Sequence, residues 1–299
     1  MDNFLTGHQS NLDEVKKQVS VAQWNLFSFT QGDIRNIKDC QKVCAGVNYV
    51  LHHAALGSVP ASIDDPLLAN DINITGSLNV LLAARDQKVE KFIYAASSST
   101  YGDNSVSPKT ENMTGNLLSP YAVAKYTNEL YASVFTRCYG ITAIGLRYFN
   151  IFGPRQRLDG AYAAVIPHWI AAVMAGDKVV INGNGETSRD FCFVDNVVQA
   201  NLLACLSPTK QEINPIYNVA VGQSISLNEL FSLIKKASLQ NNIVYNKDPV
   251  YQEFRAGDVM HSEADISKIK NDFGYNPELS FNVALDTTIK WYSAFLQEN

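Results

Sequence analysis

Lys91-Phe92-Ile93-Tyr94-Ala95-Ala96-Ser97-Ser98-Ser99-Thr100-Tyr101-Gly102 is a short apolar run that ends abruptly on hydroxyls. The run has strand character, and helical patterns lie on both sides of it. Leu67 to Arg85 carries Leu78, Leu81 and Leu82 on one side, and a second amphipathic segment runs from Pro120 to about Tyr139. Further strand-like runs stand at Tyr49 to His53 and Ile141 to Tyr148, with another at Phe27 to Thr30 before a Gly32-Asp33 turn. This alternation predicts βαβ units and a parallel sheet covered by helices, an α/β fold.

After Gly153-Pro154 the rhythm changes. Ala161 to Ala175 reads as helix, Val179 to Ile181 as a short strand and Gly183-Asn184-Gly185 as a turn. A helix from Val194 to Leu206 and a strand at Tyr217 to Ala220 are placed to rejoin the main sheet. Helices follow near Leu227 to Ala237, Asp265 to Asp272 and Val283 to Phe295. The expected division is a first domain over 1–158, rejoined by 194–221, and a smaller α/β domain from 159–193 and 222–299.

The chain's 299 residues, 46% hydrophobic and 18% charged, suffice for a large core. A net charge of −5 argues against nucleic acid as a partner, while a local basic pocket for a small anion stays open. The five cysteines are scattered without CxxC spacing, so they read as buried reduced thiols, and no metal site is expected. No apolar run approaches the roughly 20 residues that cross a bilayer and no signal peptide opens the chain, so no membrane partner and a cytoplasmic location are expected.

The chemistry concentrates in Ser119-Pro120-Tyr121-Ala122-Val123-Ala124-Lys125. Pro120 suits a first helical turn, and Tyr121 and Lys125, four residues apart, share a face. A phenol ionises near about pH 10 and an adjacent ammonium lowers that by roughly 1 to 3 units, which would make Tyr121 a general base. Taken alone, the pair is a weak signal, since tyrosine and lysine at this spacing are commonly just a helix face. The hydroxyls of Ser97, Ser98 and Ser99 add weight, because they close a parallel strand at the end where such folds bind ligands. Their plainer reading is a polar turn.

Together these segments resemble the Ser-Tyr-Lys site of the extended short-chain dehydrogenase/reductase family, and the resemblance covers nearly the whole chain. It implies a Rossmann-type doubly wound sheet and NAD. GDIR (Gly32 to Arg35) is similar to the segment that meets the adenine, which assigns Asp33 and Ile34 to the cofactor. HHAALGSVP (His52 to Pro60) is similar to the loop passing from the pyrophosphate to the sugar, which assigns Ala54 and Ala55 to NAD and Gly57 and Ser58 to substrate. LRYFNIFGPRQ (Leu146 to Gln156) is similar to the strand end near nicotinamide, with Tyr148 on the cofactor and Asn150 on the substrate.

Within the family, AYAAVIP (Ala161 to Pro167), VVINGNGETSRDF (Val179 to Phe191) and FRAGDVMHS (Phe254 to Ser262) look most like nucleotide-sugar 4-epimerases acting on UDP-N-acetylhexosamines. The resemblance implies Val165, Asn150 and Asn182 on the nucleotide-sugar, Arg189 and Arg255 on its diphosphate, and Asp258 on the uridine ribose. Guanidinium groups suit phosphate oxygens through bidentate hydrogen bonds. Tyr121 would take the carbon-4 hydroxyl proton as hydride passes to NAD, with Ser97, or Ser98 or Ser99, holding that hydroxyl and Lys125 also holding the nicotinamide ribose. Related dehydratases place an Asp-Glu pair where Ser98-Ser99-Thr100 stand, so water elimination lacks its acid. Ser262, where a bulky tyrosine restricts acetamido sugars in relatives, favours UDP-GlcNAc and UDP-GalNAc. UDP-glucose and UDP-glucuronate epimerisation, an inactive UDP-sugar-binding protein, and a structural partner of an intact subunit are the alternatives. The resemblance further implies a homodimer through a four-helix bundle and a role in surface-polysaccharide precursor supply.

The opening MDNFLTGH resembles the end of the family's second strand, which makes Asp2 the adenosine-ribose acid with Asn3 beside it. On that alignment the first strand, its glycine-rich turn and the first helix are missing, and no later GxxGxxG replaces them. Loss of a central strand would leave unpaired backbone and an open edge. A start codon assigned too late, or a truncated gene, is the expected origin.

Overall fold

Lys91–Ser97 is flanked in the sheet by Tyr49–His52 on one side and Ala143–Tyr148 on the other, and Ile216–Val219 completes the order. All three pairings are parallel. This computed structural model describes residues 1–157, 164–208, 214–254 and 259–298. The fold is α/β with a Rossmann-type parallel sheet, in which Ile216–Val219 pairs with Ala143–Tyr148.

The connecting helices explain the apolar strands. Pro66–Asp86 joins the first two strands, Pro120–Tyr139 the next pair, and Val194–Leu206 lies between Ala143–Tyr148 and Ile216–Val219. With both faces covered, Ile93 and Leu146 are fully buried. Lys91 is buried as well, and its ammonium donates to the carbonyls of Ala204 (3.1 Å), Cys205 (2.7 Å) and Ser207. These are the orphan acceptors at the end of Val194–Leu206, so the lysine caps that helix.

Pro66–Asp86 is long and apolar enough to cross a membrane by length and composition, contrary to the sequence expectation. Half of it is buried, through residues such as Val80, Leu81 and Ala84 that pack beside the sheet. It changes winding midway, from α over Pro66–Asn70 to a π turn over Asp71–Gly76 and back to α over Ser77–Asp86. The π turn carries Asn73, whose amide accepts from Leu56 N (2.7 Å) and donates to Leu56 O (3.1 Å). That clasp fixes the loop after Tyr49–His52.

Two expectations are corrected. Phe27 to Thr30 is no strand of the sheet; Phe27 N turns back to Trp24 O (3.0 Å), and Asp2 N to Thr30 O (3.3 Å) and Gly32 N to Asp2 O (3.1 Å) flank a single Asp2–Gln31 bridge. Among the described residues Tyr49–His52 therefore has no strand partner on its outer edge, and Tyr49 and Leu51 stay exposed. Four cysteines are buried, whereas Cys138 is exposed on its helix.

The rest of the chain builds small sheets around a second core. Asn150–Phe152 pairs with Phe191–Phe193, Val180–Asn182 with Val250–Gln252, and Ser188–Arg189 sits between His261–Ser262 and Ile225–Ser226. Ile166, Ile170, Leu230, Ile234, Leu285 and Ile289 fill that core. Asp190 ties this part of the chain to the main-sheet core by accepting from Val221 N and Gly222 N (both 2.9 Å) and Ala264 N (3.3 Å).

Gly102, which ends the hydroxyl turn, has φ +52° and ψ −130°, and a Cβ there would lie 1.9 Å from Asn116 O. No side-chain rotation relieves a clash with backbone. Gly102→Ala is expected to cost at least about 2 kcal/mol in urea unfolding; an unchanged midpoint would show that the 103–116 loop yields freely.

Candidate active site

Lys91–Ser97 delivers Ser97 to the carboxyl end of the sheet, and a 3₁₀ turn over Ser98–Tyr101 follows at once. The Ser97 hydroxyl caps that turn, receiving Ser99 N (3.1 Å) and Ser99 Oγ (2.9 Å). Opposite stands Pro120–Tyr139, started by the Ser119 hydroxyl accepting from Ala122 N (3.1 Å) and by Pro120 in the first turn. Its first two turns place Tyr121 and Lys125 over the strand end.

A cleft of about 810 Å³ gathers Ser97, Ser98, Ser99, Tyr121, Lys125 and Tyr148 together with Gly57, Asn150, Arg189 and Ser262. Lys125 Nζ donates to Ala95 O (2.7 Å) and lies 5.8 Å from the centre of the Tyr121 ring. Burial pulls the lysine down to about 8. Burial also pushes the Tyr121 phenol above its ordinary value, while its hydrogen bond with Ser97 opposes that rise. The lowering expected from Lys125 is not what the site shows: desolvation raises the phenol, and Ser97 is what opposes it.

Ser58 stands at the start of the next helix. Its hydroxyl accepts from Ala61 N (3.2 Å) and caps the short helix Val59–Asp64. Two residues not singled out from sequence join the site. His53 Nε2 lies 2.9 Å from Tyr148 OH with the rings stacked at 5.9 Å, and Asn201 Nδ2 donates to the same hydroxyl (2.8 Å). His53 stood inside HHAAL, but a histidine in such a loop carries no signal of its partner 95 residues later.

Two further cavities adjoin the cleft. One of about 420 Å³ is lined by Asp2, Asn3, Asp33, Ile34 and Ala54, and shares His53 and Ala55 with the cleft. Asn3 Nδ2 donates to Asp33 Oδ2 (3.0 Å), and Arg35 holds the Asp33 carboxyl well below the usual range. The other, about 500 Å³, contains Val165 and Asn182 and shares Asn150, Ile151 and Arg189 with the cleft. Ser262 pairs with Arg189 in the small sheet. Arg255 and Asp258 lie outside the described residues.

The Asp2 carboxylate and the Asn3–Asp33 pair at one end, and Tyr121, Lys125 and Tyr148 at the other, are a set of donors and acceptors that suits a long polar cofactor. Among the described residues no glycine-rich turn opens a helix beside either cavity. A parallel sheet carrying serine at a strand end, with tyrosine and lysine one turn apart on the next helix, defines a short-chain dehydrogenase/reductase site. Residues 2–220 match the NAD dependent epimerase/dehydratase family, and the chain belongs to it, with NAD as its cofactor.

Several of the proteins it resembles are named as epimerases. A putative UDP-glucose 4-epimerase of Methanocaldococcus jannaschii is 32% identical over 97% of this chain and 88% of its own length. The structure of UDP-N-acetylglucosamine 4-epimerase from Methanobrevibacter ruminantium M1, in complex with UDP-N-acetylmuramic acid, is 37% identical with a TM-score of 0.88, covering 98% of this chain and 89% of that one. UDP-glucose 4-epimerase from Thermotoga maritima with UDP-glucose is 33% identical with a TM-score of 0.87, covering 99% and 90%.

Proposed function

We propose that this chain interconverts UDP-N-acetylglucosamine and UDP-N-acetylgalactosamine at carbon 4. The observation that carries the reading is the junction at Asn150 and Arg189, which border both the catalytic cleft and the 500 Å³ cavity. A diphosphate held there puts its sugar beside Tyr121 and its nucleoside in the other cavity. Bidentate guanidinium contacts suit that diphosphate, which assigns it to Arg189. Ser262, small and next to Arg189, leaves room for an acetamido group.

Asp2, Asn3, Asp33, Ile34, Ala54 and Ala55 would hold the adenosine half of NAD, and Tyr148 and Lys125 the nicotinamide half. Bound there, NAD would supply the hydride acceptor and donor for carbon 4. Tyr121 removes the carbon-4 hydroxyl proton and gives it back, and Ser97 holds that oxygen. Lys125 supplies the nearby positive charge that a buried phenolate needs. Ser98-Ser99-Thr100 offer no carboxylic acid, so the 4-keto sugar returns to an alcohol rather than losing water. Exposed Leu67, Val123, Leu130 and Val134 on the two covering helices support pairing of two copies through a four-helix bundle.

Incubation of the 299-residue chain with NAD and each UDP-sugar, read by NMR, tests the reading. Interconversion of the two acetamido sugars, faster than of UDP-glucose or UDP-glucuronate, is expected. Turnover confined to the sugars without an acetamido group would overturn the Ser262 argument.

A further inference from the structure

His53 follows directly on Tyr49–His52, Tyr148 ends Ala143–Tyr148, and Lys91–Ser97 lies between those two strands. The 2.9 Å bond between His53 Nε2 and Tyr148 OH therefore spans the end of the strand that presents Ser97, the register partner of Tyr148. The two rings are nearly parallel, with 10° between their planes. Asn201, on the helix Val194–Leu206, donates its Nδ2 to the same hydroxyl (2.8 Å) and to Val197 O (2.8 Å). That carbonyl fixes the amide's orientation, since only the NH₂ can face it.

The direction of each hydrogen bond follows. Asn201 is a donor, so the Tyr148 oxygen accepts there and its own hydrogen is left for His53. Burial, with Lys125 nearby, holds the His53 imidazole below its ordinary value against the opposing pull of the Leu51 carbonyl and the Asn201 side chain. The ring is thus uncharged near neutrality and carries one hydrogen. Its bond to the Leu51 carbonyl puts that hydrogen on Nδ1, because Nε2 is the nitrogen at Tyr148. Nε2 is then a bare acceptor, and the Tyr148 hydroxyl gives one bond and takes another.

His53 borders both the 420 Å³ cavity and the catalytic cleft, whereas of the two Tyr148 borders the cleft, with Tyr121 and Lys125. Resting on the assignment of Tyr148 and Lys125 to the nicotinamide half of NAD, we infer that His53 is a positioning residue for that half, acting through Tyr148. A phenol tied at its hydroxyl from two elements keeps its ring in one rotamer; without the imidazole its hydrogen loses the acceptor that fixes it.

The test is calorimetric binding of NAD, and of ADP-ribose, which lacks the nicotinamide, to the full chain and its variants. His53→Leu is expected to bind NAD about three- to tenfold more weakly, the worth of one neutral hydrogen bond, while ADP-ribose changes by less than about twofold. His53→Gln, whose amide oxygen can accept from Tyr148, should restore NAD binding. Tyr148→Phe should reproduce the loss seen in His53→Leu, and the double variant should lose no more than either, as for two residues acting as one unit. Equal losses of NAD and ADP-ribose in His53→Leu would mean that the imidazole meets the cofactor itself or only shapes its loop, and the inference fails. Additive losses in the double variant overturn it as well. If His53→Leu does not fold, His53→Phe, which keeps a ring without the nitrogen, is read the same way. Tyr148→Ala with wild-type NAD affinity sinks the assignment of Tyr148 to the nicotinamide half, and this inference with it. A loss in Tyr148→Ala with none in His53→Leu sinks the inference alone.

Discussion

Tyr121→Phe is expected to lower kcat for epimerisation by about 10²- to 10⁴-fold, the usual worth of a positioned general base, with UDP binding changed little. The phenol is the ionisable group that meets Ser97 inside the cleft, and Lys125 stands one helical turn away. Burial works against its ionisation, so the side chain needs positive charge close by to act near neutrality. Lys125 is the nearest source, and burial weakens its own hold on a proton. A binding isotherm for UDP beside the rate separates lost chemistry from lost structure. Retention of more than a tenth of the rate would move the base elsewhere in the cleft.

The largest stability effect is expected at a pair remote from the proton transfer. Arg147 and Glu129 form two hydrogen bonds of 2.8 Å each, and both side chains are almost wholly buried. The guanidinium also donates to Glu111 O (3.2 Å) and Met113 O (3.4 Å), and packs 4.8 Å from the centre of the Tyr101 ring. Burial works to remove its charge, and the Glu129 carboxylate more than reverses that. Glu129→Leu leaves this cation without its counterion, so a loss of about 3–5 kcal/mol is expected in urea unfolding at neutral pH. Arg147→Met added to Glu129→Leu should recover much of it, because the stranded charge is then gone. A single variant within 1 kcal/mol of wild type would mean that water reaches Arg147. The pair ties the strand carrying Tyr148 to the helix carrying Tyr121 and Lys125, so stability and site geometry share this bond.

Local signals carried much of this arrangement. Ser119-Pro120 marked a helix start that the structure places at Pro120, and Lys91 to Ala95 marked the strand that presents Ser97. The apolar runs were readable because both sheet faces are covered. Phe27 to Thr30 had strand composition, yet a strand also needs a neighbour, and only Asp2 supplies one bridge. Ser58 was read from its loop without sight of the helix beginning at Val59, which its hydroxyl caps. Glu129 and Arg147 were silent for another reason: charged residues 18 apart give no hint of burial until the helix lies on the sheet. His53 and Asn201 meet at Tyr148 by the same long-range folding.

Lys91 has a consequence in time as well as in space. It opens a central strand, but the carbonyls that receive its ammonium come 113 to 116 residues later. Closing so long a loop is slow, since its entropy is lost before the contact repays it. As the chain leaves the ribosome, the sheet's middle therefore has to wait. A nascent chain ending before Ala204 must either keep this lysine in water, holding the start of the strand open, or bury a charge with no acceptor.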